Sequence, residues 1–329
     1  MATSHSPRKN KKMATTTTTQ VSAAVNNYYD RVMLKAARPL LLYTKFGQVR
    51  DIPRGNTAVI KFRRYTLLAA NTTALTEGVT PSGKQLAVTD VTGTVQQFGD
   101  FITLTDFLQF TTLDPILSET AELLGQQAGN SLDQLARAVI VAGTTVQFAS
   151  SATARVDINA NMKLTRDEIR EAVRTLQGND ARKMTSIVNP STGFNTSPIN
   201  AAYIGIISHN TLFDLKNQTG WIPVEEYANK NDVMEGEVGA LDDIRFVMTT
   251  NGSTVSSTVT VHRTMILAKD YYGITRISGE AMKNIIKPLG SAGTADPLDQ
   301  RSTSGWKATF VAIRLNENFA VRIEHAVSA

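Results

Sequence analysis

Hydrophobic and polar positions divide the chain into stretches of different character. Residues 1–27 offer little to bury: Arg8, Lys9, Lys11 and Lys12 stand with no acidic residue, and five consecutive threonines follow. This predicts an extended basic arm. After Pro53, Arg54 and Gly55, the stretch from Thr57 to Tyr65 alternates with period two, Ala58, Ile60 and Phe62 against Thr57, Lys61 and Arg63, which predicts a strand. A second strand region is expected from Lys84 to Gln97, where Val91, Gly93 and Val95 alternate with threonines. Between them, Thr76 to Gly83 is rich in turn formers. The sum is a long two-stranded projection. Two strands without a packed face do not offset the entropy of ordering them, so the projection needs something to lie on.

The pattern then becomes helical. Asp114 suits a cap and Pro115 the first helical position, after which Leu117, Ala121, Leu124, Ala128, Leu132, Leu135 and Val139 recur at spacings of three and four, up to a stop at Gly143. About 28 residues at ~1.5 Å each give a rod of about 42 Å. Gly125 and Gly129 in its interior are expected to mark a bend or a close crossing. A second helix is predicted from Thr165, where Thr165 and Glu168 suit a capping box and Leu164 can pack on Ile169; Ile169, Val173 and Leu176 face inward and Gly178 ends it. Ser186 to Val188 reads as a buried strand. Residues 201–304 alternate short strands, at Tyr203 to Ser208, Ile244 to Met248, Thr254 to His262 and Thr264 to Ala268, with a short helix near Leu212 to Asn217. The closing stretch, Trp306 to Ile323, has strand character and is expected to return to the first half of the chain.

Composition narrows the function more than the fold. A hydrophobic content of 42% and a charged content of 19% are ordinary for a folded protein. The absence of cysteine removes disulfides, zinc–thiolate sites and thiol catalysis together. A net charge of +5 is small for 329 residues, and where it sits matters more than its sum. The basic start lacks the apolar core of a signal peptide, and apolar runs such as Ala138 to Ala142 fall far short of the ~18 residues of a membrane span, so neither export nor a membrane partner is expected.

Catalytic motifs are scarce. Gly78 and Gly83 followed by Lys84 approach a phosphate-binding loop, but Gln85 replaces the magnesium-holding Ser or Thr, Pro81 removes an amide, and the following residues are strand-like. His5, His209, His262 and His325 show no metal-ligand spacing. Asp242-Asp243 and Glu225-Glu226 are adjacent carboxylates, which usually point apart. No catalytic, cofactor or metal residue is therefore assigned. Lys61, Arg63 and Arg64 could neutralise phosphates, but on a projecting hairpin without interleaved aromatics they fit carboxylates of an adjoining subunit better. Glu77 and Lys84 at the tip join them as expected inter-subunit contacts, and Arg8, Lys9, Lys11 and Lys12 as an arm that could face DNA.

The order of parts, with the motifs LTEGVTPSG (Leu75 to Gly83), GEVGALDDIRFV (Gly236 to Val247), AKDYYGITRISG (Ala268 to Gly279) and GSAGTADPLDQRSTSGWKATFVAIRLNENFAVRIEHA (Gly290 to Ala326), resembles the α+β capsid fold of tailed phages and herpesviruses, the Hong Kong 97-type fold. Within it, the chain is similar to the coliphage N-four-like major capsid family. The resemblance implies an N-terminal arm (1–52), an extended β-hairpin loop or E-loop (53–106), a spine helix with the peripheral domain (107–200), an axial domain (201–304) and a C-terminal strand returning to the peripheral domain (305–329). It implies a non-enzymatic subunit that self-assembles into pentamers and hexamers of an icosahedral head. That head would form in the host bacterial cytoplasm and enclose double-stranded DNA bound non-specifically, with portal and scaffold proteins and a possible cement protein as partners. The alternatives are an encapsulin-like nanocompartment shell and a nucleotide-binding enzyme using Gly83 and Lys84.

Overall fold

The computed structural model describes residues 31–37, 41–55, 57–66, 68–111, 116–185, 199–228, 233–277 and 282–328. The expected strand at Ser186 to Val188 and the basic residues Arg8, Lys9, Lys11 and Lys12 lie outside them.

After a short helix, α2 (Asp106–Thr111), a 26-residue helix, α3 (Ile116–Val141), organises the body. Its buried apolar side chains are Ala121, Leu124, Ala128, Leu132, Ala136, Ile140 and Val141, while Leu135 and Val139 pack only partly against the same core. The expected stripe thus shifts by one residue in its second half. Successive steps of four overshoot a 3.6-residue turn, so a stripe built from them winds around the rod. The two interior glycines mark a crossing, not a bend. The helix at residues 31–37 (α1) passes so close that a Cβ at Gly125 would sit 2.5 Å from the Met33 carbonyl oxygen and one at Gly129 2.7 Å from that of Ala37. Downstream of this crossing, the buried carboxylate of Asp133 accepts the Tyr43 amide at 2.7 Å and fixes the chain leaving α1.

The first sheet contains β1 (Gln48–Ile52), β4 (Gln96–Thr105), β12 (Tyr272–Ile277), β13 (Met282–Lys287) and the long β14 (Arg301–Arg314). β14 is its centre: it pairs antiparallel with β4 along one side and with β13 and then β12 along the other, while β1 runs parallel to β12. The second sheet has eight strands, ordered β5 (Val146–Phe148), β15 (Ala320–His325), β11 (Thr260–Leu267), β6 (Tyr203–Ser208), β9 (Ile244–Thr249), β8 (Glu237–Leu241) and β7 (Ile222–Pro223), with β10 (Ser253–Ser256) also on β11. Both faces of this sheet are covered. Ile204, Ile206, Val247, Met265 and Leu267 join the core containing α3, whereas Tyr203, Ile207, Phe246, Ile266 and Ile323 join a second core with α4 (Arg166–Gly178) and Leu215 of α5 (His209–Lys216). Each fully buried aliphatic side chain contributes about 1.5–3 kcal/mol. α4 begins as expected: the Glu168 carboxylate accepts the Thr165 amide at 2.8 Å, and Leu164 and Ile169 are both fully buried.

Three expected elements move. The strand expected over Thr254 to His262 is two strands, because Ser257 to Val259 turn the chain between β10 and β11, and His262 through Leu267 run on as one element. The strand expected from Thr57 is β2 (Val59–Tyr65). The region expected from Lys84 to Gln97 is β3 (Val88–Thr94), which pairs with β2, followed by β4, which leaves the hairpin for β14. In the closing stretch, β15 lies between β5 of the first half, parallel to it, and β11 of the second, antiparallel to it.

Candidate inter-subunit surface

The hairpin is anchored at its base and bare at its tip. Phe62 of β2 is buried, and its ring lies where a Cβ on Gly273 would come within 2.7 Å. The Arg50 guanidinium covers the same ring at 5.3 Å. On β3, Gly93 leaves room for Ile313, whose Cδ1 would approach a Cβ there to 2.0 Å. Val91, Gly93 and Val95 are the half-buried positions of β3 and its exit, in the predicted alternation.

Beyond Tyr65 the order ends. Residues 66 and 68–87 contain no helix or strand, and every one of them is exposed. Thr66 donates to the Ala87 carbonyl at 3.0 Å to close the base, Lys84 Nζ donates to the Ala69 carbonyl at 2.9 Å, and a turn at Thr76 to Val79 forms the end, with Gly78 at φ +78°. Four large apolar side chains stand in solvent there: Leu68 (58%), Leu75 (74%), Val79 (62%) and Leu86 (59%). Leucines this exposed, on a segment without a core of its own, make the loop a candidate contact surface.

The predicted contact residues are spread along this projection. Lys61 and Arg63 are exposed on the face of β2 opposite Phe62, and Arg64 lies on the Phe62 face, opposite Thr89 in register. Arg63 differs from expectation. Asp90 is its direct cross-strand partner, and the two form an ion pair at 3.1 Å, so its first carboxylate belongs to its own chain. Glu77 is exposed at the turn. Lys84 spans the loop to Ala69 and is followed by no helix, so the stretch from Gly78 to Lys84 does not form the amide cradle a nucleotide requires.

Sequence spacing concealed three polar clusters. Glu237 and Arg245 form a buried bidentate pair, with Arg245 Nε 2.7 Å from Glu237 Oε1 and Nη2 2.6 Å from Oε2. Tyr227 also donates to Glu237 Oε1, at 2.7 Å, and the Met234 amide to Oε2, at 2.9 Å. The adjacent acids of the β8–β9 turn separate as expected. Asp242, at φ +50°, takes Arg166 at 2.6 Å and Arg170 at 3.3 Å, and Asp243 takes Lys183 at 2.8 Å. The Arg166 hydrogen bond, foremost, holds the Asp242 carboxyl below the usual carboxylate range.

The histidines, scattered in sequence, are partly assembled by the fold. His262 and His325 are register partners on β11 and β15, both buried, with rings 6.3 Å apart. His325 Nδ1 donates to the Ala326 carbonyl at 2.8 Å, and Nε2 lies 2.9 Å from Thr264 Oγ1, which can donate to the neutral ring or accept from the charged one. Burial above all, with His262 beside it, pushes the His325 pKa down from 6.5 to about 4. The unfolded chain binds this proton near pH 6.5 and the native chain does not. Stability is therefore complete above that pH and falls as the solution is acidified towards 4. Urea unfolding should show a loss of about 2 kcal/mol between pH 7 and 4.5 from this group. His325→Asn should flatten that part of the profile, and an unchanged acid slope would reject the assignment. Among the described residues, no group of His, Asp and Glu is placed to hold a metal, and no helix is long and apolar enough to cross a membrane.

No protein-family model and no curated protein matches the sequence. Solved structures do. The chain is similar to the capsid of Ralstonia phage GP4, with a TM-score of 0.66 at 11% identity over 85% of this chain and 87% of that one. Against the cyanophage Pam1 capsid the TM-score is 0.62 at 12% identity, over 100% and 98% of the two chains. Against the capsid of cyanophage P-SCSP1u it is 0.61 at 12% identity, over 88% and 89%. The fold is thus the mixed helix-and-sheet fold of tailed-phage capsid proteins, the Hong Kong 97-type fold that the order of elements predicted.

Proposed function

We propose that this chain is the major capsid protein of a tailed bacteriophage, a structural subunit that assembles with copies of itself into a closed shell. The observation that carries this reading is the bare loop at residues 66 and 68–87, set on a body with the capsid fold. A loop that buries none of its own leucines gains stability by lying on a neighbour, and large permanent interfaces of more than ~2,000 Å² accommodate such segments. Head-to-tail contacts that close into rings supply the pentamers and hexamers of an icosahedral head.

On this reading Lys61, Arg64, Glu77 and Lys84 contact the adjoining subunit, and Arg63 does so while keeping Asp90. Arg8, Lys9, Lys11 and Lys12 face packaged double-stranded DNA, which they would bind without regard to sequence through its phosphates. Portal and scaffold proteins, with or without a cement protein, complete the assembly, and the mature location is the virion. The role is structural and not catalytic. The phage-capsid likeness supports a genome-bearing head over an encapsulin-like compartment.

Negative-stain electron microscopy of the expressed protein tests this. Closed shells, tubes or capsomer rings are the expected result. A monomer that persists at high protein concentration, with or without co-expressed scaffold, would overturn the proposal.

A further inference from the structure

Glu324 lies in β15 with its side chain fully buried, and three guanidiniums converge on it. Arg155, on the short turn Arg155–Asp157, has the best geometry, donating Nε to Oε2 at 2.6 Å and Nη2 to Oε1 at 2.7 Å. Arg322 of β15 places Nε 3.0 Å from Oε1, and Arg263, the register partner of Glu324 on β11, places its Nε 3.6 Å away. Arg322 also donates Nη1 to the Val141 carbonyl at the end of α3 and to that of Gly143 at 3.1 Å. Arg263 Nη1 reaches Ser253 Oγ at 3.5 Å.

The charges in this cluster do not balance. Three full positive charges face one carboxylate and one helix C-terminus, and the latter is worth about half a charge. Asp157, on the same turn as Arg155, is committed to the amides of Thr153 and Ala154 at 3.3 and 2.9 Å. The Nε atoms of Arg263 and Arg322 are buried and are held by Glu324 through charge alone: that of Arg263, at 3.6 Å, is too far to donate to Oε1, that of Arg322, at 3.0 Å, is not aligned with it, and neither donates to another acceptor among the described residues. An unsatisfied donor on a buried guanidinium is costly, and where the site is otherwise well packed it indicates a missing acceptor. The Arg263 guanidinium is destabilised as a cation, first by burial and further by Arg155 and Arg322. Its side chain is 18% exposed and that of Arg155 36%, so the cluster opens to solvent.

We propose that Arg155, Arg263 and Arg322 form a binding site for a phosphate group, carried either by inorganic phosphate or by a nucleic-acid backbone. A tetrahedral oxyanion presents several acceptors at one point and a charge that matches the local excess, and planar guanidinium forks suit it better than ammonium groups do. The inference does not depend on the shell reading.

Equilibrium dialysis of the full chain against radiolabelled inorganic phosphate, at fixed pH and chloride, tests it in any assembly state. Saturable binding is expected, and Arg155→Gln should weaken it about tenfold or more. Arg155 is the variant of choice because Glu324 keeps Arg263 and Arg322 when it is removed. Arg174→Gln, which removes a remote exposed arginine, should leave the affinity unchanged. Absence of saturable binding, or equal losses in the two variants, would overturn the proposal. Competition by a short DNA duplex would assign the natural phosphate to nucleic acid, and its absence, with binding intact, to the free anion.

Discussion

Deleting residues 71–83 is expected to leave the subunit folded and to abolish closed shells. The deleted stretch is wholly exposed and contributes no buried side chain and no strand pairing. The hairpin below it survives. β2 and β3 keep their register from Val59–Thr94 to Tyr65–Val88, and Thr66 still donates to Ala87. Ala69 and Lys84 on either side of the cut are already joined by a 2.9 Å hydrogen bond, so the new junction needs little rearrangement. Shortening a flexible loop changes its closure entropy only slowly, by about 0.6 kcal/mol for each halving, so the denaturation midpoint should hardly move. Assembly, in contrast, loses Leu75, Val79 and Glu77 together, and electron microscopy should show free subunits or irregular aggregates where the parent forms particles. Loss of cooperative unfolding in the deletion would show instead that the loop belongs to the core of its own chain.

The largest single-residue effect on stability is expected at Glu237. Its carboxylate forms a bidentate pair with Arg245, and their side chains are 0% and 3% exposed. Glu237→Gln keeps the shape and removes the charge. It leaves a buried guanidinium with a neutral neighbour and weakens the acceptor for the Tyr227 hydroxyl and the Met234 amide. Breaking a buried pair from one side costs about 3–5 kcal/mol, a large share of the ~5–15 kcal/mol that holds a typical domain together. Replacing both partners, as Glu237→Met with Arg245→Met, should recover most of that loss, because well-packed apolar residues often substitute for a buried pair without penalty. Urea unfolding of the two variants decides the point. A double variant no more stable than Glu237→Gln would mean that the pair contributes through its hydrogen bonds to the surrounding strands and not through charge balance alone.

What could be read from the sequence was local. The amide cap at Thr165, the strand Tyr203 to Ser208 and the long helix with its two glycines were legible because each is specified within a few residues, by a capping carboxylate, a run of β-branched side chains or a spacing of four. The β10–β11 hairpin was misplaced because its turn, Ser257 to Val259, carries residues that strands also favour. β4 beyond Gln97 was missed for a related reason: Gly99 and Asp100 interrupt its pattern, and its stability comes from β14, some two hundred positions away. Separation along the chain likewise concealed the His262–His325 contact and the convergence of Arg155, Arg263 and Arg322, since no spacing rule joins residues brought together only by strand order. Of the candidate contact residues, Lys61, Arg64, Glu77 and Lys84 fall on the projection where hydropathy placed them. Arg63 required knowledge of the register, because only pairing with β3 brings Asp90 opposite.

A single residue, Val95, separates β3 from β4, and β4 holds β14 through ten consecutive register pairs from Thr105–Arg301 to Gln96–Phe310. A pull on the projection along its axis therefore reaches β4 almost at once. Ten rungs carry the load together in place of parting singly, as they would if the strand were peeled from one end. The lever can swing at its free end while its root, riveted beside the central rod, transmits force to the body without tearing out.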